Sequence, residues 1–106
     1  MDVQLKRGIL EICVLASLRE GDSYGYKIIG DLSPCLEISE STLYPILKRL
    51  EGAGSLTVYS QEYNGRLRRY YRLTEAGQER IADFLESWKQ LEQMKQYIET
   101  RGLPQA

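Results

Sequence analysis

Four arginines, Arg66, Arg68, Arg69 and Arg72, fall within seven residues, directly after the dipeptide Asn64-Gly65. Guanidinium groups make paired hydrogen bonds to phosphate oxygens and stay charged at any physiological pH, so such a cluster suits a polyanion. A second group precedes it: Ser41, Thr42, Tyr44, Pro45, Lys48 and Arg49, together hydroxylic and basic. Side chains of these types reach phosphates and base edges when a helix enters the major groove of DNA. Neither group is built for catalysis. The chain has no histidine, which removes the usual general base near neutral pH and the commonest transition-metal ligand. It also has no glycine-rich phosphate loop and no nucleophile paired with a base. Cys13 and Cys35 fall short of the four clustered ligands of a zinc site, and two buried, reduced thiols are expected. The expectation is a binding protein with no metal, no cofactor and no enzymatic activity.

Charge distribution locates the binding surface. The net charge is −1 at pH 7 over 106 residues, which by itself argues against nucleic acid. From Ser41 to Leu73, however, six basic residues face two acidic ones, a net +4. The flanking segments carry −3 and −2. All the excess positive charge therefore lies in the stretch holding both candidate groups. The apolar run from Lys6 to Leu18 is interrupted by Glu11 and is too short to span a bilayer. A cytoplasmic protein without membrane contact is expected.

Periodicity identifies the elements that must hold these groups. A first helix over Val3 to Arg19 is apolar on most of its circumference, so it should be covered on two sides. Ser23 or Asp22 would cap a second helix, Tyr24 to Leu32, with Tyr26, Ile29 and Leu32 inward and Ser33-Pro34 as its stop. A third helix starts near Ser39 to Ser41 and closes at Ala53-Gly54. Its inward stripe of Leu43, Ile46, Leu47 and Leu50 turns Ser41, Pro45, Lys48 and Gly52 outward, flanked by Thr42, Tyr44 and Arg49. Leu56 to Tyr63 and Arg66 to Leu73 read as a hairpin, because Asn-Gly suits the positive φ angles of a type I′ turn. Alternation puts Arg66, Arg68, Tyr70 and Arg72 on one face, and Leu67, Tyr71 and Leu73 on the other. Thr74 caps a last helix running to about Thr100, before Gly102 and Pro104. Its residues Ile81, Phe84, Trp88, Leu91 and Ile98 follow a coiled-coil spacing broken at Lys95. At roughly 40 Å, that helix outreaches a compact domain, and its seam calls for the same helix and the first helix of a second copy. Leu5, Ile9 and Ile12 would join that homodimer interface.

The fold expected is mainly α with a β-hairpin wing (α+β): a winged helix-turn-helix domain over residues 1–73, then a dimerisation helix over 74–106. Two identical reading helices require double-stranded DNA with an inverted repeat.

The run Ser41-Thr42-Leu43-Tyr44-Pro45-Ile46-Leu47-Lys48-Arg49-Leu50-Glu51 followed by Gly54 is similar to the PadR family of bacterial transcription regulators. So are Arg68-Arg69-Tyr70-Tyr71-Arg72-Leu73-Thr74-Glu75-Ala76-Gly77 and, at the head of the second helix, Ser23-Tyr24-Gly25-Tyr26. The resemblance covers nearly the whole chain, although Ser55-Leu56 stands where the family usually has an apolar pair. It implies a dimeric winged-helix regulator, usually a repressor, with Ser23 and Tyr24 added to the DNA-facing set. The single C-terminal helix resembles the smaller subfamily. Glu86-Ser87-Trp88 resembles the stretch that, in multidrug-binding members, sets a tryptophan at the dimer centre against planar ligands. On that resemblance Leu5, Gly8, Ile12, Trp88 and Glu92 would line a site for a small planar aromatic effector. Trp88 as a simple core residue of the dimer, with Gly8 permitting close packing, is the competing reading. A winged-helix module for protein–protein contacts is the competing function.

Overall fold

The computed structural model describes residues 1–103; Pro104, invoked above as a helix stop, lies outside them. The elements run α1 (Val3–Ala16), α2 (Gly25–Leu32), α3 (Glu40–Gly52), β1 (Leu56–Tyr63), β2 (Arg66–Leu73) and α4 (Glu75–Thr100). Three helices begin at side-chain caps, where an oxygen satisfies an otherwise free backbone N–H. Asp2 accepts from the Leu5 amide at 3.0 Å, Ser39 from Thr42 at 3.3 Å and Thr74 from Gly77 at 3.1 Å. The turn between the strands has Asn64 at φ 52° and Gly65 at φ 79°, as a type I′ hairpin requires. The strands pair antiparallel from Leu56↔Leu73 to Tyr63↔Arg66.

Three expectations fail at the first two helices. α1 ends at Ala16 rather than Arg19, because the chain tightens into three-residue turns, with the Leu18 amide donating to Leu15 and that of Arg19 to Ala16. Neither Ser23 nor Asp22 caps α2; Tyr24 occupies that position with no side-chain bond. Ser23 pairs through its backbone with Tyr71, at 3.1 and 2.8 Å, and the Asp22 carboxylate is held by the wing. The buried stripe of α2 is Gly25, Ile28 and Leu32, while Tyr26 is 77% exposed. Gly25 explains the rotation: a Cβ there would lie 2.7 Å from the Tyr44 hydroxyl, so α2 meets α3 through its glycine and Tyr26 turns out.

One core holds the helices and the root of the hairpin together. Val14, Leu15, Ile28, Leu43, Leu50, Leu56 and Ile81 are each at most 2% exposed. Each such side chain contributes about 1.5–3 kcal/mol by leaving water. Ile12 and Ile81, expected at an interface between copies, belong to this core, because the first turns of α4 pack on α1. Gly77 lets the first turn of α4 lie against the root of the wing. A Cβ at Gly77 would sit 2.2 Å from the Ser55 carbonyl oxygen and 2.6 Å from a Leu73 methyl. Ser55 and Leu56 are both buried, so the unusual pair packs at the root of the wing.

Among the described residues Glu11 is the one buried acid, 9% exposed. Arg49 of α3 donates Nε to one of its oxygens at 3.1 Å, and Arg80 of α4 donates to the other. Burial opposes ionisation of Glu11, yet the two arginines outweigh it and hold its carboxyl below the usual range. Three helices are thus tied at one carboxylate. Cys13 is half-buried, and burial pushes its thiol up; Cys35, expected to be buried, is exposed in the turn after α2.

Beyond its first turns, α4 leaves the domain. The radius of gyration is 17.3 Å, against about 13 Å for a compact chain of this length. The longest axis is 67 Å and the others 26 and 22 Å.

Candidate nucleic-acid interface

The outward side of α3 carries Ser41, Thr42, Tyr44, Pro45 and Lys48, all exposed. The Ser39 hydroxyl lies 3.0 Å from that of Ser41 and 3.1 Å from that of Thr42, so the head of the helix presents a knot of hydroxyls. Pro45 has no N–H to give the Ser41 carbonyl, which loosens the second turn without ending the helix. Further along, Lys48 and Glu51 border a cleft of about 260 Å³ whose opposite wall is Arg69 and Tyr71 of β2. A larger adjoining cleft, about 520 Å³, brings in Tyr24, Tyr26 and Leu67.

The strand alternation is as expected, but its consequence is the reverse of a uniform basic face. Tyr71 is 3% exposed and buried toward the core. Residues of its parity, Leu67 and Arg69, therefore flank α3. Leu67 is 79% exposed, an open apolar side chain beside two arginines. At the other parity, Arg68 and Arg72 are occupied internally. The Arg68 guanidinium carbon lies 3.6 Å from the Tyr24 ring centroid and 3.8 Å from that of Tyr63. Its Nε and Nη2 donate to the Tyr70 hydroxyl at 2.9 and 2.5 Å. Arg72 reaches Asp22, with Nη2 donating at 2.9 Å, and Tyr59 donates to the same carboxylate at 2.7 Å. Those bonds from Arg72 and Tyr59 hold the Asp22 carboxyl below its ordinary range. Tyr59 stacks on Tyr70 at 5.4 Å and 13°.

Two further residues of the expected DNA-facing set are placed elsewhere. Ser23 is 2% exposed, with a buried hydroxyl that has no hydrogen-bond partner; its backbone pairing with Tyr71 draws it beneath the wing. Arg49 is turned to Glu11, since its position on α3 borders the helix pair rather than the outward face. Asn64, Gly65 and Arg66 stand exposed at the tip. Sequence reasoning missed Asp22, Tyr59, Tyr63 and Glu11. Register alone could have placed Tyr59 across from Tyr70 and Tyr63 beside the tip; nothing local marks Asp22 as the partner of Arg72.

A second exposed region runs along α4. Leu85, Trp88, Leu91, Met94, Tyr97 and Ile98 are 45–72% exposed, and Val3 and Leu5 of α1 are 80% and 53%. Trp88 stacks on Phe84 at 6.1 Å and donates its indole N–H to Glu92 at 2.8 Å. A Cβ at Gly8 would meet nothing within 4 Å. Leu85, Met94 and Tyr97 widen the apolar seam beyond the residues expected from heptad spacing.

Among the described residues no helix is long and apolar enough to cross a membrane. The model of the transcriptional regulator PadR-like family matches residues 14–83. A transcriptional regulator of Mycobacterium tuberculosis is 31% identical over 81 residues, 76% of each chain. Similar solved structures include a PadR-like transcription factor from Bacteroides fragilis, 34% identical, with a TM-score of 0.82 over 90% of this chain and 94% of that one. A PadR family regulator from Eggerthella lenta is 33% identical, with a TM-score of 0.81 over 93% of this chain and 89% of its own.

Proposed function

Because the chain belongs to the PadR-like family of transcriptional regulators, we propose that it is a cytoplasmic repressor that binds an inverted-repeat operator as a homodimer. The observation that carries this reading is the cleft where Lys48 of α3 faces Arg69 of the wing. Ser41, Thr42, Tyr44, Pro45 and Lys48 meet the major groove. Arg66 and Arg69, with Asn64 and Gly65 at the tip, follow the adjoining phosphates. The exposed seam of α4 from Leu85 to Ile98, with Phe84 at its root and Leu5 and Ile9 of α1, pairs with the same surface of a second copy. An apolar strip of that length on a monomer calls for such a cover. Between the copies, Trp88, Glu92, Leu5 and Gly8 line a space for a planar aromatic effector whose binding releases the DNA.

Binding to genomic fragments, selected by the purified protein and titrated over a range of salt, tests the reading. Each lost phosphate contact lowers the slope of log K against log salt by about one. Substituting Lys48 and Arg69 together by Gln should therefore flatten the slope by roughly two. Binding that ignores both salt and these changes would leave a protein–protein module as the function. Titration with planar cations and phenolic acids should quench Trp88; no quenching by any of them reduces Trp88 to a packing role.

A further inference from the structure

We propose that Arg68 is the positioning residue of the wing rather than one of its phosphate contacts, an inference that rests on the DNA-binding reading above. Its planar group is covered by Tyr24 on one ring and Tyr63 on another, at 3.6 and 3.8 Å. One edge is occupied by the Tyr70 hydroxyl, which accepts from both Nε and Nη2. A guanidinium between aromatic faces is held through its flat, weakly hydrated surfaces, an arrangement the compact, strongly hydrated ammonium of lysine does not reproduce.

The three tyrosines come from three places. Tyr24 stands at the head of α2, Tyr63 at the tip end of β1 and Tyr70 on β2 itself. Arg68 thus fastens the hairpin to the loop that leads into the helix-turn-helix. The neighbouring bridge between Ser23 and Tyr71 and the Arg72–Asp22 pair act along the same line. Holding Arg68 against Tyr24 and Tyr63 fixes the strand whose next residue, Arg69, lines the cleft with Lys48. Swinging Arg68 out to a phosphate would release the wing from Tyr24 and Tyr63 and loosen the hold on the strand that carries Arg69.

The test compares Arg68→Lys, Arg68→Gln and Arg69→Gln, alone and combined, on genomic fragments recovered by the unmodified protein. A phosphate contact tolerates Arg68→Lys, because the charge is retained. A positioning residue does not: Arg68→Lys should weaken binding about tenfold, as Arg68→Gln does, through the loss of stacking. In an Arg69→Gln background, Arg68→Lys should then cost little more, since Arg68 acts through Arg69. Independently of DNA, hydrogen exchange at the Tyr71 amide, bonded to Ser23 at 2.8 Å, should quicken in Arg68→Lys while core amides of α1 stay protected. Three results overturn the proposal: unmodified-like binding by Arg68→Lys, losses that simply add to those of Arg69→Gln, or unchanged exchange at Tyr71. If the unmodified protein binds no fragment even at low salt, the DNA reading fails separately, and the exchange measurement still decides whether Arg68 holds the wing.

Discussion

The two faces of the wing carry the same residue type and do different work. On one, Arg68 and Arg72 are engaged by Tyr24, Tyr63, Tyr70 and Asp22. On the other, Arg69 stands with Leu67 at a cleft bordered by α3. A basic cluster in sequence is therefore not a basic surface in space. Strand alternation divides it, and whichever half meets acids and aromatics of its own chain becomes architecture.

Substitutions can break this contrast, and the largest effect is expected where both faces share a root. Gly77→Ala should cost about 3 kcal/mol through overpacking against the Ser55 carbonyl and lower the thermal midpoint by many degrees. A midpoint within a degree or two of the unmodified protein would mean that the wing's root yields easily.

Glu11→Gln comes next, since it leaves Arg49 and Arg80 without their carboxylate. Both arginines are more than a third exposed, so water softens the loss to about 1–2 kcal/mol. The sign with pH follows from the lowered carboxyl of Glu11. Its stabilisation is complete above the unfolded value, about pH 5 and higher, and is lost as pH falls through the folded value. Denaturant melts of the two proteins should therefore converge in acid. A constant gap down to low pH would show that Glu11 acts through packing.

On the occupied face, Asp22→Asn should cost about 1 kcal/mol, because the pair with Arg72 is partly exposed. On the open face, Arg69→Gln should change stability by less than about 0.5 kcal/mol while lowering the salt slope of DNA binding by about one. Equal losses of stability for Asp22→Asn and Arg69→Gln would erase the distinction between the faces.

Much of the fold was legible because its determinants are local. Asn64-Gly65 sets the hairpin, Thr74 starts α4 and Gly54, at φ 76°, closes α3. The inward stripe of Leu43, Ile46, Leu47 and Leu50 is buried as its spacing required. Failures cluster where a partner comes from afar. Tyr26 was turned outward by the contact of Gly25 with Tyr44, and Arg49 was drawn inward by an acid 38 residues away. Ile12 and Ile81 have the spacing of an interface between copies but pack against each other's helices within one chain. The four helices, the wing and the position of the +4 segment were settled by residue order alone, because caps, turns and periodicity act within a few positions. Which arginines remain available and which apolar residues stay uncovered was decided only on folding, because burial and ion pairing depend on what long-range packing brings alongside.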